Sequence, residues 1–290
     1  MCFYNDYQVA TDVKLVREMR GLSKSLLAKE LKIDVSTVSR WETGSIDISR
    51  ERCEAFYNYA FRHGVLLNQI KEQFYKEDLH TSSERLLFHG AKRKISGSIR
   101  YDAGRTNNDF GKGFYCGESL MQSALFVSNF PESCIYMVDF DMAGLHGETY
   151  HVDTEWMLTI ALFRGRLDEY RNNEYLQQLY SKVEEADYII APIADNRMYE
   201  VIEDYISGEI TDEQCRHALA ATDLGLQFVM KSQAATESVV VKERCYLCEA
   251  EKQYYQEMRD GNQRASADKV KAARIQYRGK GKYIDEVFGV

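Results

Sequence analysis

Apolar positions recur at helical spacing along the first part of the chain, and tight turns interrupt the pattern. We predict three short helices, beginning at Asp12, at Ser23 and at about Asp34. Asp12 is expected to cap the first helix, which ends at Gly21, and the third helix ends at Gly44. The inward-facing residues are Val13, Val16, Met19, Leu26, Leu27 and Leu31. Short helices joined by such turns predict a helix-turn-helix bundle.

The helical pattern continues to about residue 77 and then gives way to short apolar runs separated by helical segments. Buried strands are predicted over residues 86–88, 134–140, 188–193 and 226–230. Helices are predicted over residues 119–129, 197–207 and 211–221. Because strands and helices do not alternate strictly, the fold class of the whole chain is expected to be α+β, with an all-α bundle first.

These changes divide the chain into three parts. Residues 1–80 are the predicted helix-turn-helix domain with its following helix, expected to fold separately, and residues 81–249 form the mixed domain. Residues 250–290 are a basic tail, predicted to be helical at first and flexible at its end, where Arg278-Gly279-Lys280-Gly281-Lys282 stands.

Composition places the chain among ordinary globular proteins. Its 290 residues are 44% hydrophobic and 28% charged, and no apolar stretch approaches the length of a membrane helix. No basic-then-apolar leader precedes the first helix, and the seven cysteines have irregular spacings. We therefore expect a cytoplasmic protein with reduced thiols and no membrane partner.

Charge is distributed unevenly along the chain. Residues 1–80 carry 12 basic and 12 acidic side chains, whereas residues 81–240 carry 14 basic and 25 acidic ones. Residues 241–290 carry 11 basic and 8 acidic side chains. An acidic middle does not attract polyanions broadly, so any phosphate there must be held by a few local groups.

Residues 15–44, LVREMRGLSKSLLAKELKIDVSTVSRWETG, resemble the Xre/Cro-repressor type of helix-turn-helix domain. In such domains the second helix of the motif enters the major groove of double-stranded DNA. The resemblance implies that Ser36, Thr37 and Arg40 face base edges and that Lys24 contacts a phosphate. The alternative is a helical bundle used for dimerisation, which the neutral charge of this segment favours.

A second set of residues suits a ligand that has phosphates and a flat ring. The predicted strand at 86–88 ends in His89-Gly90, where glycine lets a planar ring approach the main chain. The loop Asp109-Phe110-Gly111-Lys112-Gly113-Phe114-Tyr115 adds a cation and an aromatic ring. Against this, a lone histidine at a strand end is most often structural.

These residues resemble the ADP-ribosyltransferase superfamily, in its His–Tyr–Glu branch that includes diphtheria toxin and the poly(ADP-ribose) polymerases. Residues 86–235 are similar to an uncharacterised bacterial family of that fold, through LFHG, DFGKGFY, the helix with Gln122 and Ala124, DYIIAPIADNR and LQFVMKSQAA. The resemblance implies a mixed sheet with helices and NAD as substrate or ligand.

Carried over position by position, the resemblance implies that His89 bonds the adenosine ribose and that the Gly90 backbone holds the nicotinamide amide. Tyr115 stacks on the nicotinamide ring, Lys112 lies on the loop beside it, and Ser119 begins the helix behind it.

Gln227 stands where the branch usually places its glutamate, completing the candidate catalytic set with Tyr115 and His89. His89, Gly90, Tyr115 and Gln227 are expected to line one pocket. A glutamine keeps a hydrogen bond but lacks the charge that stabilises an oxocarbenium-like transition state, and it cannot act as a general base. Chain extension into a polymer is therefore not expected, which leaves single transfer, NAD hydrolysis or NAD binding alone. Gln227→Glu is expected to raise NAD turnover.

No metal site is predicted. Asp187 and Asp195 flank a buried strand without a neighbouring histidine, so loop capping or substrate contact is the expected role. Cys245 and Cys248 form a single pair without further zinc ligands, and we place them on a helix as small apolar residues.

Three functions follow as hypotheses. The first is a DNA-binding protein with a mono-ADP-ribosyltransferase effector domain that acts on a macromolecular acceptor. The resemblance associates such pairings with toxin–antitoxin and phage-defence systems. The second is a transcription regulator whose inactive second domain senses NAD or a nucleotide. The third is an interaction protein in which both sites have decayed. All three are compatible with a homodimer.

Overall fold

The computed structural model describes residues 7–221 and 224–289. Five helices come first, and the chain then forms a sheet surrounded by further helices, as the α+β prediction required. The helices of the first part are α1 (Val9–Met19), α2 (Lys24–Leu31), α3 (Val35–Glu42), α4 (Arg50–Arg62) and α5 (Leu67–Glu77).

Capping side chains and glycines set the ends of the first helices. Ser23, Asp34 and Ser49 accept hydrogen bonds from backbone amides of the first turns of α2, α3 and α4. Gly21 and Gly44 have positive φ angles of 62° and 65°, which suit the turns that follow α1 and α3. The buried core of the bundle includes Val13, Val16, Leu27, Val38, Trp41 and Phe56. The inward placement predicted for Met19 and Leu26 is wrong, because both side chains are exposed.

The predicted cap at Asp12 is wrong. Asp12 lies inside α1, and its side chain is fully buried. It accepts hydrogen bonds from the Tyr57 hydroxyl at 2.6 Å and from Lys71 Nζ at 2.8 Å. These two partners on distant helices, which sequence spacing cannot reveal, stabilise a carboxylate in the core.

The sheet has seven strands in the order β4-β5-β6-β2-β1-β3-β7. Only the pair β4 and β5 is parallel among the described strands. The strands are β1 (Glu84–Ala91), β2 (Phe114–Gly117), β3 (Cys134–Asp141), β4 (Gly147–Thr149), β5 (Tyr188–Pro192), β6 (Leu226–Met230) and β7 (Val239–Tyr246). The four strands predicted from apolar runs are confirmed, whereas β2, β4 and β7 were not predicted.

Helices pack on both sides of the sheet. They are α6 (Leu120–Val127), α7 (Thr154–Phe163), α8 (Glu174–Glu185), α9 (Asn196–Ile206), α10 (Asp212–Ala220), α11 (Gln233–Glu237), α12 (Glu249–Gln276) and α13 (Ile284–Phe288). The largest core, which contains Trp156, Ile189, Tyr205 and Val229, lies between one face of β5 and β6 and helices α7 to α10. The predicted helices at 119–129, 197–207 and 211–221 are confirmed as α6, α9 and α10.

The sheet is joined near its middle by a narrow contact. β1 pairs along its whole length with β3, from Glu84 opposite Asp141 to Ala91 opposite Cys134. Its pairing with β2 has the single register pair of Phe88 opposite Gly117. The sheet therefore consists of a half with β7, β3 and β1 and a half with β2, β6, β5 and β4. We call the boundary between β1 and β2 the sheet split.

The helical bundle packs against β7 and the start of α12. Tyr57 stacks on Tyr246 with ring centroids 4.7 Å apart, and Cys248 belongs to the same buried core. Asn68 Nδ2 donates to Tyr246 O at 2.9 Å and to Glu251. The bundle is all-helical as predicted, but it shares its core with the second part of the chain instead of standing apart.

The end of the chain is more ordered than the predicted flexible tail. α12 and α13 account for most of it, and Ile284 of α13 is buried in the largest core. Between them, Lys280 O accepts a hydrogen bond from Thr211, and Lys282 N donates to Asp212 Oδ1 at 2.7 Å. These backbone contacts anchor the glycine-rich segment that composition alone marked as flexible.

Within the described ranges, no helix has both the length and the apolar character that crossing a membrane requires.

Candidate functional site

The first candidate surface is the exposed side of α3 in the bundle. Ser36 and Arg40 are exposed and Thr37 is half-buried. The Arg40 side chain bonds back to its own helix, with Nε 3.3 Å from Ser36 O and Nη2 3.2 Å from Ser36 Oγ. The three residues predicted to read bases thus lie on one short helix, and two of them, Ser36 and Arg40, are exposed.

Lys24 lies close to a carboxylate. Its Nζ is 3.1 Å from Glu42 Oε2, and Arg17 Nε is 2.5 Å from Glu42 Oε1. Burial opposes ionisation of Glu42, but the hydrogen bonds from Arg17 and Lys24 outweigh it and lower its pKa. The Lys24 side chain is 40% exposed, so it can still approach a phosphate while it holds α2 to α3.

A cavity of about 500 Å³ opens beside α3, lined by Thr37, Trp41, Ile48 and Ser49, with Lys32 and Arg52 among its other residues. Sequence reasoning did not assign Lys32 and Arg52 to the DNA surface. Both residues lie within about three positions of a capping residue, Lys32 before Asp34 and Arg52 after Ser49. This position could have indicated them, because helix N-termini favour anions. The cavity places two cations, Lys32 and Arg52, and two carboxylates, Asp34 and Asp47, beside α3.

The second candidate site lies at the sheet split. His89 Nδ1 donates a hydrogen bond to Tyr115 O at 2.7 Å, which connects β1 to β2 beside the Phe88–Gly117 pair. The imidazole stacks on Phe114 with ring centroids 4.4 Å apart. Burial lowers the pKa of His89, although the bond to Tyr115 O acts in the opposite direction. A neutral ring that donates through Nδ1 presents Nε2 as a hydrogen-bond acceptor.

Gly90 is required by close packing. A Cβ atom built at this position would lie 2.7 Å from Ser123 O and 2.9 Å from Val127 Cγ1 of α6. Ser123 Oγ in turn donates to Phe88 O at 2.7 Å. The glycine therefore lets α6 lie directly on β1. This packing alone accounts for a glycine at position 90, and no ligand is needed to explain it.

Two hydrogen bonds anchor the hydroxyl of Tyr115. The hydroxyl donates to Gly111 O at 2.9 Å and accepts from Phe110 N at 3.1 Å. Lys231 Nζ donates to Phe110 O at 2.7 Å. The phenol ring thus holds the glycine-rich loop against β2, while Lys112 on that loop is exposed.

Gln227 is buried at the start of β6 and bonded on its amide nitrogen. Nε2 lies 3.0 Å from Asp109 Oδ2 and 3.0 Å from Pro192 O. Asp109 is also buried, and its Oδ1 accepts from Arg164 Nε at 2.9 Å and from Arg164 Nη2 at 2.5 Å. Arg164 also lies over the Tyr199 ring, 4.0 Å from its centroid. Sequence reasoning assigned no role to Asp109 or Arg164.

The structure corrects the expectation of one pocket lined by all four residues. Gln227 lies opposite Gly117, and Tyr115 lies opposite Val229, so both side chains share one face of the sheet. His89 follows Phe88, which lies opposite Gly117, so its side chain is on the other face. The residues lie on the neighbouring strands β1, β2 and β6, with the His89 side chain on one face of the sheet and the Tyr115 and Gln227 side chains on the other.

The remaining predicted residues have structural roles. Ser119 caps α6 by accepting from Gln122 N, and Asp195 caps α9 by accepting from Arg197 N and Met198 N. Asp187 Oδ2 accepts from His146 N at 2.9 Å. Loop capping by Asp187 and Asp195 is confirmed.

Cys245 and Cys248 are buried free thiols, but the predicted helical placement is wrong for Cys245, which lies in β7. Cys248 lies at the cap position of α12. Over the parts of the chain that are described, no cluster of three or more His, Cys, Asp or Glu residues suits a metal ion.

Comparison with known proteins places two family profiles on these two regions. The family described as a protein of unknown function, DUF3990, matches residues 86–240, from β1 into β7. A helix-turn-helix family matches residues 13–56, from α1 into α4, which supports DNA as a partner and a regulatory role. No curated protein and no solved structure matches the chain.

Proposed function

Because the chain belongs to the family described as a protein of unknown function, DUF3990, and carries a helix-turn-helix module before it, we propose a DNA-binding regulator whose second domain uses NAD. In this proposal the sheet split binds NAD, and the domain transfers one ADP-ribose to a macromolecular acceptor. The protein acts as a regulated effector of the kind found in toxin–antitoxin and phage-defence systems.

The observation that carries the proposal is the contact between His89 and Tyr115 across the sheet split. His89 Nδ1 and Tyr115 O are 2.7 Å apart, although 26 positions separate the residues in sequence. The two strands are paired at Phe88 and Gly117. A ligand that enters beside this pair meets a neutral imidazole acceptor and the exposed edge of a glycine-rich loop.

The hydrogen-bonding groups available at the split suit a dinucleotide. Nε2 of His89 and Oε1 of Gln227 form no hydrogen bonds with the described residues, and both are acceptors. Because they lie on opposite faces of the sheet, a ligand that uses both must pass through the sheet split. Ribose hydroxyls are donors that match them. Lys112, exposed on the adjoining loop, supplies a cation for a pyrophosphate within a domain that is otherwise acidic.

The proposed reaction breaks the bond between nicotinamide and ribose. Nicotinamide leaves with the bonding electron pair, the acceptor nucleophile forms a bond to the same ribose carbon, and the proton of the acceptor passes to solvent water. Neutral Gln227 accepts a hydrogen bond from the ribose but does not take that proton. The acceptor therefore reacts without a general base at position 227, and single transfer is favoured over polymer growth.

One observation favours a second candidate function, a regulator that senses NAD without chemistry. Gln227 is neutral and buried, and its nearest carboxylate, Asp109, is bonded to Arg164. A site that offers acceptors without a free carboxylate binds ribose but gives little stabilisation to a developing positive charge.

Incubation of the full chain with NAD labelled in the nicotinamide ring and in the adenine tests the proposal. Release of labelled nicotinamide with transfer of adenine label to a macromolecule in cell lysate supports the transferase. Saturable binding without release supports the sensor. A chain that neither binds NAD nor releases nicotinamide contradicts both.

A further inference from the structure

A buried chain of hydrogen bonds runs from Arg164 through Asp109 to Gln227. It joins α7, the glycine-rich loop and β6, which are distant in sequence. Asp109 is 6% exposed and Gln227 is 7% exposed, so water competes little for these bonds. The chain of bonds ends one strand away from the sheet split, because Gln227 lies opposite Gly117 of β2.

The direction of the Gln227 amide is fixed by its two partners. Pro192 O has no proton to donate, and the Asp109 carboxylate is held by two N–H groups of Arg164. Both partners therefore accept, so the group that faces them is the NH₂ of the amide. Each N–H of Gln227 is used, and Oε1 is the atom left for a ligand.

We infer that Asp109 is a positioning residue that orients the Gln227 amide, so that position 227 presents a hydrogen-bond acceptor to a hydroxyl-bearing ligand at the sheet split. The identification of that hydroxyl as one of the riboses of NAD rests on the proposed function. Arg164 supports the arrangement by occupying the other oxygen of Asp109 and by balancing its charge.

This arrangement changes the expectation for Gln227→Glu. A glutamate at this position would place a carboxylate within hydrogen-bond distance of the Asp109 carboxylate. Like charges at that distance raise the pKa of one partner, so the pair shares a proton. The variant therefore gains little free charge, and Gln227→Glu alone is not expected to raise turnover.

Exchanging the two groups keeps the hydrogen bond between positions 109 and 227 but loses the one to Pro192 O. When Asp109→Asn is combined with Gln227→Glu, the new amide accepts from Arg164 with its oxygen and donates with its nitrogen to the new carboxylate. The double substitution has the charge of the natural protein, but the carboxylate stands at position 227 instead of position 109. In Asp109→Asn alone, the amide nitrogen of position 109 faces Gln227 Nε2, which favours rotation of the Gln227 amide and presents a donor to the ligand.

The experiment compares these three variants with the natural chain, and Asp102→Asn is the control. Asp102 lies in the same loop region and pairs with Arg100, away from Gln227. NAD binding or turnover is measured along with unfolding midpoints in urea between pH 5 and pH 8. We expect Asp109→Asn to raise KM or Kd for NAD about tenfold, the effect of one hydrogen bond of typical strength. The control variant Asp102→Asn should leave KM or Kd for NAD unchanged.

The double variant should recover NAD binding that Asp109→Asn loses, which a merely structural role for Asp109 would not produce. Gln227→Glu should lose stability relative to the natural chain as pH rises from 5 to 8, because the shared proton is released. The exchange variant should not show this loss. If Gln227→Glu follows the pH profile of the natural chain, or if Asp109→Asn binds NAD normally, the inference is overturned.

The stability profiles do not depend on NAD. If the natural chain fails to bind NAD but Gln227→Glu shows the pH-dependent loss and the exchange removes it, the proposed function fails and the orientation of Gln227 stands. If NAD binds but the profiles are alike, the orientation fails and the proposed function stands.

Discussion

Lys71 and Glu243 form a buried ion pair between the helical bundle and the sheet, with Nζ and Oε1 2.5 Å apart. Lys71 also contacts Asp12, and Tyr75 donates to the second oxygen of Glu243 at 3.0 Å. Burial acts to lower the pKa of Lys71, but the charges of Asp12 and Glu243 outweigh it, so the pKa is raised. The two parts of the chain are therefore connected by a buried cation whose carboxylate partners, Asp12 and Glu243, come one from each part.

Lys71→Met should strongly destabilise the protein, because it leaves Asp12 and Glu243 buried without their cation. Loss of one partner of a buried ion pair costs about 3–5 kcal/mol. Urea unfolding measures the change. Lys76→Ala is the matched control, since its exposed pair with Glu72 is worth only about 0.3–0.5 kcal/mol. A loss below about 1 kcal/mol for Lys71→Met, the range of exposed pairs, would show that the pair does not hold the two parts together.

Glu251 gives the interface a pH dependence. Burial raises its pKa to about 7, although hydrogen bonding by Asn68 and the charge of Lys71 act in the opposite direction. The folded state thus keeps the proton where the unfolded chain has lost it, so stability from this group should fall as pH rises from about 4.5 to 7 and level off above that.

The free energy of unfolding, measured across that range for the natural chain and for Glu251→Gln, isolates this contribution. The variant should lack the fall, which is on the order of 1–3 kcal/mol in the natural chain. Parallel curves for the two proteins would show that Glu251 does not titrate in this range.

Arg40→Ala and Lys24→Ala should affect DNA binding differently. If Arg40 reads a base, its loss should cost about 1–3 kcal/mol of discrimination between the preferred site and a variant site. Lys24→Ala should weaken binding to all sequences alike and reduce the salt dependence. Binding measured at several salt concentrations separates the two effects, and equal binding by the natural chain and both variants would reject the DNA-binding surface.

Gly90→Ala should destabilise the second part of the chain by about 1–3 kcal/mol, because the new methyl group overlaps Ser123 O and Val127 of α6. Gly261→Ala serves as the control. Gly261 lies within α12 with open space around its Cβ position, so alanine there should be neutral or slightly stabilising. Equal melting temperatures for the two variants would contradict the close packing of α6 on β1.

The parts of the fold that sequence predicted are those with a strong local signal. The apolar runs of β3, β5 and β6 and the capped helices of the bundle fall in this group. β2 is four residues long and lies within a glycine-rich loop, so its apolar pattern is too short to detect. In β7, Lys242, Glu243 and Arg244 interrupt the apolar run, and their partners lie far away in sequence.

The candidate site was predicted as a set of residues but not as an arrangement. His89 and Tyr115 were identified from motifs and do meet at the sheet split. The opposite faces of His89 and Gln227 depend on strand register, which no motif specifies. Arg164 was missed because it lies 55 positions from Asp109 and belongs to no motif.

The most direct test of NAD binding at the sheet split is equilibrium binding of labelled NAD to the purified full chain and to His89→Ala. His89 contributes the acceptor at Nε2 and the contact that joins β1 to β2. We expect saturable binding by the natural chain at NAD concentrations up to about 1 mM, the upper range of ordinary substrate affinities, and a loss of affinity of at least about tenfold in the variant. No saturable binding by the natural chain, or equal binding by a folded His89→Ala variant, would contradict it.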